Sequence, residues 1–338
     1  MHMNITVLSG GMGGAKFLQG LLHGLSSGAL APATGPETRV TVVANTADDI
    51  WVHGLKVCPD LDTVMYTLGD GIDPGRGWGR RDETWSAKAE LAAYGVEPTW
   101  FGLGDRDIAT HLVRTQLIEA GYPLSAITRR LCDRWLTPGY GDRLRLLPMT
   151  DDRVETHVAI ADDSAPSGKR VIHFQEYWVR LRAEVPADAL AFVGLDTSTP
   201  APGVVEAVRD ADLVILPPSN PVVSVGTILG VPGIRDALQA RTGPVVGVSP
   251  IVGDHHIRGM AEQMLTSIGV EVSAAGVAGH FGARSTGGIL DGWLVDTCDS
   301  VLVERVEALG IRCAAVPLMM TDNDATAAMA RAALELVG

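Results

Sequence analysis

The chain predicts an α/β fold: a doubly wound, mostly parallel, Rossmann-like sheet between two helical layers, interrupted by a largely helical insertion. Three observations carry this. Short apolar runs (Ile5–Leu8, Val40–Ala44, Leu213–Leu216, Val245–Ser249 and Cys313–Pro317) each end at or just before Gly, Pro, Ser or Asn. Unbroken runs of that length suit strands buried on both faces of a parallel sheet. Helix-period segments separate them, and the chain opens with a strand, a glycine turn and the amphipathic segment Phe17–Leu25. In such sheets ligands bind beyond the carboxyl ends of the strands, so chemistry is sought just after each run.

Residues 1–62 and 146–338 form the predicted nucleotide-binding core. Residues 63–145 read as the insertion, with helices over Asp82–Tyr94, Asp107–Ala120 and Pro123–Trp135 and a Gly-rich turn over Gly69–Gly79. Its Trp78, Trp85 and Trp100 offer faces to a flat ligand, although core packing is the commoner use of Trp. Val154–Ile160 and Lys169–Phe174, separated by the polar Asp162–Gly168, predict a hairpin. A last helix is expected from a cap at Thr321 or Asp322 to Leu336.

Composition narrows the function. The 338 residues are 46% hydrophobic and 20% charged, which excludes disorder. Asp plus Glu number 40 against 27 Lys plus Arg, a formal charge of −13, so no basic face for nucleic acid is expected and an anionic ligand needs local devices. No apolar run approaches the roughly 20 residues of a membrane helix, and Met1–Leu8 leads straight into a strand, which makes the cytoplasm the expected location. Cys58, Cys132, Cys298 and Cys313 lack C-x-x-C spacing and read as buried free thiols.

After the first strand, Ser9-Gly10-Gly11-Met12-Gly13-Gly14-Ala15-Lys16 forms an anion cradle, because glycine admits a phosphate and the following helix start offers unpaired N–H groups. Lys16 stands where a dinucleotide fingerprint has its third glycine, and no Gly-Lys-Ser/Thr occurs there. After the second strand, Asp48, Asp49, Asp60 and Asp62 place four carboxylates within fifteen residues. Such a group is self-repelling without a cation, and Mg²⁺ is commonly held by one or two carboxylates plus phosphate oxygens. Asp60 has a second reading, as the cap of a helix starting at Leu61.

The loops Pro217-Pro218-Ser219-Asn220-Pro221 and Ser249-Pro250-Ile251-Val252-Gly253 each follow a strand and suit recognition of a base or sugar. Arg258, in an expected helix after His255-His256, reads as a phosphate contact or a solvated arginine. The adjacent histidines would point apart there. In Gly104-Asp105-Arg106-Asp107-Ile108-Ala109-Thr110-His111, Asp107 reads as a helix cap, with Arg106 or His111 aimed outward. No G-x-S-x-G elbow or catalytic-Cys signature appears.

Taken in order, Ser-Gly-Gly-x-Gly-Gly-x-Lys (9–16), Asn-Thr-Ala-Asp-Asp-Ile-Trp-Val-His-Gly (45–54), Cys-Pro-Asp-Leu-Asp-Thr-Val-Met-Tyr (58–66), Gly-Asp-Arg-Asp-x-Ala-Thr-His (104–111), His-Phe-Gln-Glu-Tyr-Trp-Val (173–179), Pro-Ser-Asn-Pro-Val-Val-Ser (218–224) and Ser-Pro-Ile-Val-Gly (249–253) resemble the 2-phospho-L-lactate transferase family of deazaflavin coenzyme F-420 biosynthesis. Residues 75–79 and 81–85 are similar to its actinobacterial branch, which uses a phosphoenolpyruvyl donor. The resemblance implies transfer of a phosphoenolpyruvyl or 2-phospho-L-lactyl group from a guanosine diphospho donor to the ribityl hydroxyl of the deazaflavin Fo. GMP leaves, Mg²⁺ is required, and the family is homodimeric.

By position, the resemblance places Fo on Asp62, with Asp49, Asn45, His53 and Lys88 around it, and makes the insertion part of the deazaflavin pocket. Mg²⁺ falls to Asp48 and Asp62, and the catalytic group is Asp48, Asp49 and Asp62, one of them orienting or deprotonating the Fo hydroxyl. The donor falls to Gly10, Gly11, Gly13, Gly14, Lys16, Ser219, Asn220, Ser249, Pro250, Ile251 and Gly253. The resemblance implies a basic Fo contact where this chain has Gly102, so that contact is either lost here or supplied from elsewhere, such as by Lys88 or Arg81. Two rivals are a nucleotide-sugar-binding regulator of the same superfamily and an NAD(P)-dependent oxidoreductase. The first is opposed by Ile50–Gly54 and Pro59–Thr63 in place of a Gly/Ser-rich segment, the second by Lys16 and the acid cluster.

Overall fold

In the computed structural model, which describes residues 3–31, 33–35, 37–256 and 259–338, all five apolar runs form strands. With Leu144–Pro148 and Gly292–Val295 they build a seven-stranded sheet. Its spatial order is Arg312–Ala315, Gly292–Val295, Val245–Val248, Leu213–Leu216, Asn4–Ser9, Arg39–Ala44, Leu144–Pro148, and every pairing is parallel. Alternate side chains enter two cores. Ile5 and Val7 pack with the helices Met12–Ser26 and Asn323–Glu335 on one face. Leu8, Val214 and Leu216 pack with helices of residues 204–281 on the other. The three layers follow from that alternation.

The first strand lies between Arg39–Ala44 and Leu213–Leu216, so the strand order reverses there. A crevice at such a switch point is where an open α/β sheet takes its ligand. The last helix begins as expected: Asp322 caps it, its carboxylate accepting the Ala325 N–H at 2.8 Å.

The helix that carries Asp62 runs from Pro59 to Leu68, so position 62/63 falls inside an element packed on the sheet. In the insertion, Leu124–Trp135 forms as expected, but the helix read over Asp82–Tyr94 shortens to Ser86–Ala93. The reason is a reciprocal cap. Asp105 accepts the Ser86 and Ala87 N–H groups at 3.0 and 2.9 Å, while Glu83 is drawn back to accept those of Arg106 and Asp107. The next helix therefore starts at Asp105, not Asp107. Asp107 instead accepts the Tyr66 hydroxyl at 2.7 Å. Arg106 is exposed as expected, but His111 turns inward and is buried.

Glu155–Ala161 and Lys169–His173 form the predicted hairpin, and Ala189–Val193 adds an unforeseen third strand. A second small hairpin, Ile50–Val52 with Leu55–Val57, follows the Asp48-Asp49 pair. His255-His256 lies in a two-residue strand rather than a helix, and both rings face Glu262, at 3.4 and 2.9 Å. Arg258 lies outside the described residues. All four cysteines are free; Cys58 and Cys313 are buried as expected, but Cys132 is half-buried and Cys298, in the surface turn Thr297–Leu302 beyond a strand end, is exposed. Among the described residues no helix is long and apolar enough to cross a membrane.

Candidate active site

The loops after the first strand and after Leu213–Leu216 meet at the switch point and wall an open cleft of about 250 Å³. Its sheet end is lined by Gly11, Met12 and Gly13, by Pro218, Ser219, Asn220 and Ser224, and by Asp48 and Asp60. Gly11 caps the helix Met12–Ser26 with no side-chain hydrogen bond, which leaves first-turn N–H groups at the cleft wall. Close approach dictates the glycines. A Cβ on Gly13 would strike the Pro218 carbonyl oxygen, and one on Gly11 would come within 2.6 Å of Asp60 Oδ1. The Gly10 N–H donates to Ser219 Oγ at 3.2 Å and ties the two loops together.

The carboxylates sort by partner. Asp48 has Oδ1 buried without a hydrogen-bond partner, and burial followed by the charge of Asp60 holds its pKa well above the ordinary range. Burial pushes Asp60 up to about 7, against the Asn45 amide, which donates to Asp60 Oδ2 at 3.0 Å. Asp60 therefore belongs to the cleft; the helix start it was expected to cap lies at Pro59. His173 Nε2 and Gln175 Nε2 hold the Asp49 and Asp48 carbonyls, each at 3.2 Å, and fix this turn from behind. Asp49 points away from the cleft, paired with Lys56 at 3.3 Å and accepting from the Cys58 thiol at 3.0 Å.

The opposite end belongs to the insertion and the helix beneath it: Asp62, Thr63, Tyr66, Trp78, Phe101, Gly102, Leu103, Asp107 and His111. Asp62 and Arg114 form a buried, two-pronged pair, Nη1 donating to Oδ2 at 3.0 Å and Nη2 to Oδ1. Burial would lower the Arg114 pKa, but the charge and hydrogen bond of Asp62, with smaller contributions from Cys58 and Tyr66, together hold it above its usual value. Of the three insertion tryptophans, Trp78 reaches the cleft; Trp85 meets it edge-on at 6.4 Å, and Trp100 packs on a small core beside Phe101.

The remaining predicted contacts lie off the cleft. Asn45 spends its amide on Asp60, Ala47 and Thr227. His53 turns the small hairpin with a positive φ. Gly10 and Gly14 sit behind the lining glycines, and Lys16 faces Asp322, whose pKa it helps to lower. Ser249 closes a local turn with Ile251, and Gly253 donates to Asp299 at 2.9 Å in the turn Thr297–Leu302, so with Pro250 this loop stands outside the cleft lining. Arg81 pairs with Asp70 on the surface. Lys88 Nζ lies 3.7 Å from where a Cβ on Gly102 would stand. Unforeseen at the cleft are Tyr66, Asp107, His111, Phe174, Gln175, Trp178 and Met260. Asp107 and His111 sit four apart on one helix face, a spacing that gives no sign of which partner that face meets.

Among the described residues no three His, Cys, Asp or Glu side chains form a metal cluster. The unpartnered Asp48 oxygen beside Asp60 nevertheless fits Mg²⁺, which asks for one or two carboxylates with phosphate oxygens and water completing its shell. Asp62 fits it poorly, since both of its oxygens are on Arg114.

A family model described as 2-phospho-L-lactate transferase CofD matches residues 5–329. A phosphoenolpyruvate transferase of Streptomyces griseus is 61% identical over 334 residues, covering 99% of this chain and 98% of that one. One from Mycolicibacterium smegmatis is 57% identical over 337 residues, covering 99% of each. A crystal structure from Bacillus halodurans of a UPF0052 family member aligns with a TM-score of 0.60 at 18% identity, covering 98% of this chain and 99% of that one, which bears on the fold alone.

Proposed function

We propose, from the premise that this chain belongs to the 2-phospho-L-lactate transferase CofD family, that it moves a phosphoenolpyruvyl group, or its 2-phospho-L-lactyl analogue, from a guanosine diphospho donor to the ribityl hydroxyl of the deazaflavin Fo in coenzyme F-420 biosynthesis. The bond between the distal phosphorus and the bridging oxygen breaks, and one from that phosphorus to the acceptor oxygen forms. GMP leaves, and the hydroxyl gives up its proton. The observation that carries this reading is one cleft with two unlike ends: a glycine and carboxylate end for a metal-bound diphosphate, and an end with Trp78 and Phe101 for a flat ring.

Phosphoryl transfer leaves the protein mainly positioning and charge balance. First-turn N–H groups at Met12 and Gly13 would take phosphate oxygens, the Gly11 N–H being engaged by Asp60, and Ser219 and Asn220 line the same end. Asp48 and Asp60 would hold Mg²⁺, which when bound neutralises charge on the diphosphate. Asp62, its charge balanced by Arg114, still has lone pairs to accept a hydrogen bond from the Fo hydroxyl and orient it. The same family reading gives a homodimer in the cytoplasm.

Mass spectrometry of the product formed from Fo with enolpyruvyl and lactyl donors, with and without Mg²⁺, tests the reading. Addition of the donor's phospho-group to Fo together with GMP release is expected. Fo recovered unchanged with every donor in the presence of Mg²⁺ would overturn it.

A further inference from the structure

One polar group at the cleft has unused hydrogen-bonding capacity. His111 is 1% exposed, on the inward face of the helix Asp105–Glu119, and lines the insertion end. Its two ring nitrogens can be told apart. Arg114 Nη1, which also donates to Asp62 Oδ2 at 3.0 Å and the Lys56 carbonyl at 3.3 Å, lies 3.2 Å from Nδ1; a guanidinium only donates, so in that shared contact Nδ1 is the acceptor and the ring proton sits on Nε2. That Nε2 is buried without a hydrogen-bond partner among the described residues. The nearest carboxylate oxygen, Asp107 Oδ2, stands 3.5 Å away, too far for a well-made hydrogen bond though close enough for the ring to help hold the Asp107 pKa below its usual value, and Asp107 is held through Oδ1 by the Tyr66 hydroxyl. A buried N–H left unpaired is uncommon and costly, and here it lies at the wall of an open cleft.

We infer that His111 is a substrate-binding residue whose Nε2–H donates to an oxygen of the molecule filling the insertion end of the cleft. The neighbouring charges say what kind of oxygen. Asp62 and Asp107 flank the ring, so a phosphate or carboxylate would be repelled, whereas a carbonyl or hydroxyl oxygen of a neutral molecule is accepted. Phe101 and Trp78 line the same end and favour a flat ring carrying that oxygen. The inference rests on the acceptor reading above, in which Fo supplies ring carbonyls and ribityl hydroxyls. The tautomer is also set from behind: Arg114 occupies Nδ1 because Asp62 fixes Arg114, so one ion pair orients both polar groups at that end.

Two variants separate ligand contact from support of Arg114. An Asn side chain reproduces the Nδ1 acceptor and deletes the Nε2 donor; a Gln side chain does the reverse. Binding of Fo is followed by its own fluorescence, and binding of GDP serves as the control for the other end. His111→Gln is expected to bind Fo within about threefold of the wild type. His111→Asn is expected to bind at least about tenfold more weakly, with GDP affinity unchanged in both. An Asn variant that binds Fo like the wild type, or a Gln variant that loses as much as Asn, overturns the inference. Nitrogen-15 spectra of the histidine rings in the unliganded protein decide it independently: His111 protonated on Nε2 supports it, and protonation on Nδ1 overturns it. Should the wild type bind no Fo, the acceptor reading falls, and the ring spectrum alone decides the donor.

Discussion

The two ends of the cleft are built by different physics. The sheet end is largely backbone: glycine N–H groups, a loop stiffened by Pro217, Pro218 and Pro221, and two carboxylates, Asp60 held by the Asn45 amide and Asp48 on a turn whose carbonyl Gln175 holds. The insertion end is side chain: Arg114 on Asp62, Tyr66 on Asp107, and His111 between them. At the sheet end like charges crowd and call for a cation; at the other Asp62 already has its counter-charge in Arg114. A site divided in this way separates metal-dependent from metal-independent recognition, and substitutions can test that division one end at a time.

Removing a carboxylate at the sheet end has the largest expected effect. Asp48→Asn and Asp60→Asn keep side-chain shape but remove the charge that would hold the cation, so turnover is expected to fall about a thousandfold, roughly 4 kcal/mol of barrier. Fo binding should stay within a few-fold, because its site lies at the other end. Steady-state rates beside Fo titrations check both. If Fo binding falls in step with turnover, the ends are not separable.

At the insertion end the expected loss is of stability. Arg114→Met strands Asp62 in a buried setting without its counter-charge, at a cost of about 3–5 kcal/mol. Denaturant unfolding should show it, and adding Asp62→Leu should recover most of the stability though not the activity. A single variant as stable as the wild type would mean that the ion pair is not what holds this end.

The same division decided what the sequence made legible. Strands buried on both faces announce themselves as unbroken apolar runs, and parallel topology sends their ends to one edge, so Gly11, Gly13, Asp48, Ser219 and Asn220 were readable as neighbours. The Asp62–Arg114 pair spans 52 positions and Tyr66–Asp107 spans 41, across helices whose docking no local pattern specifies. His111 was misplaced for that reason: helical spacing gives a face, not the neighbour that face meets. Asp60 was ambiguous for another, since a carboxylate in the first turn suits the helix dipole whether or not a ligand adjoins it. The Ser249–Gly253 loop shows the converse: it follows a strand as read, but Ser249 bonds within the loop and Gly253 to Asp299, partners that no local pattern announces.

A smaller effect follows from the crowded carboxylates. Asp60 has a folded pKa of about 7 against an ordinary 3.8. The folded state keeps that proton longer than the unfolded chain, so its contribution to stability is present below about pH 4 and is lost as pH rises through 7. Asp60→Asn removes the titration. The melting temperature of the variant relative to the wild type is therefore expected to climb between pH 5 and pH 8 by a few °C, corresponding to about 1–3 kcal/mol. Mg²⁺ should stabilise the wild type more at pH 8 than at pH 5 and leave Asp60→Asn nearly unmoved. Equal stabilisation of both proteins would place the cation elsewhere.

The smallest expected effect lies at the insertion end, around Gly102, where the family resemblance implies a basic contact to Fo. Here Lys88 reaches the same place from the helix Ser86–Ala93, its Nζ 3.7 Å from a virtual Cβ at 102 and over the Trp85 ring at 5.9 Å from its centroid. A cation that arrives from a neighbouring element can serve a ligand there only by reaching past Trp85, so its contribution should be modest. Lys88→Ala is expected to weaken Fo binding about threefold, less than 1 kcal/mol, with no change in nucleotide affinity. Gly102 has no positive φ, and its Cβ would lie 3.2 Å from Trp85 Cζ3, so a side chain fits if the indole yields by a few tenths of an ångström. Gly102→Lys added to Lys88→Ala should therefore recover the lost affinity. If it does not, the ammonium near Gly102 is a packing partner of Trp85 and the basic contact that the family resemblance implies has no counterpart in this chain.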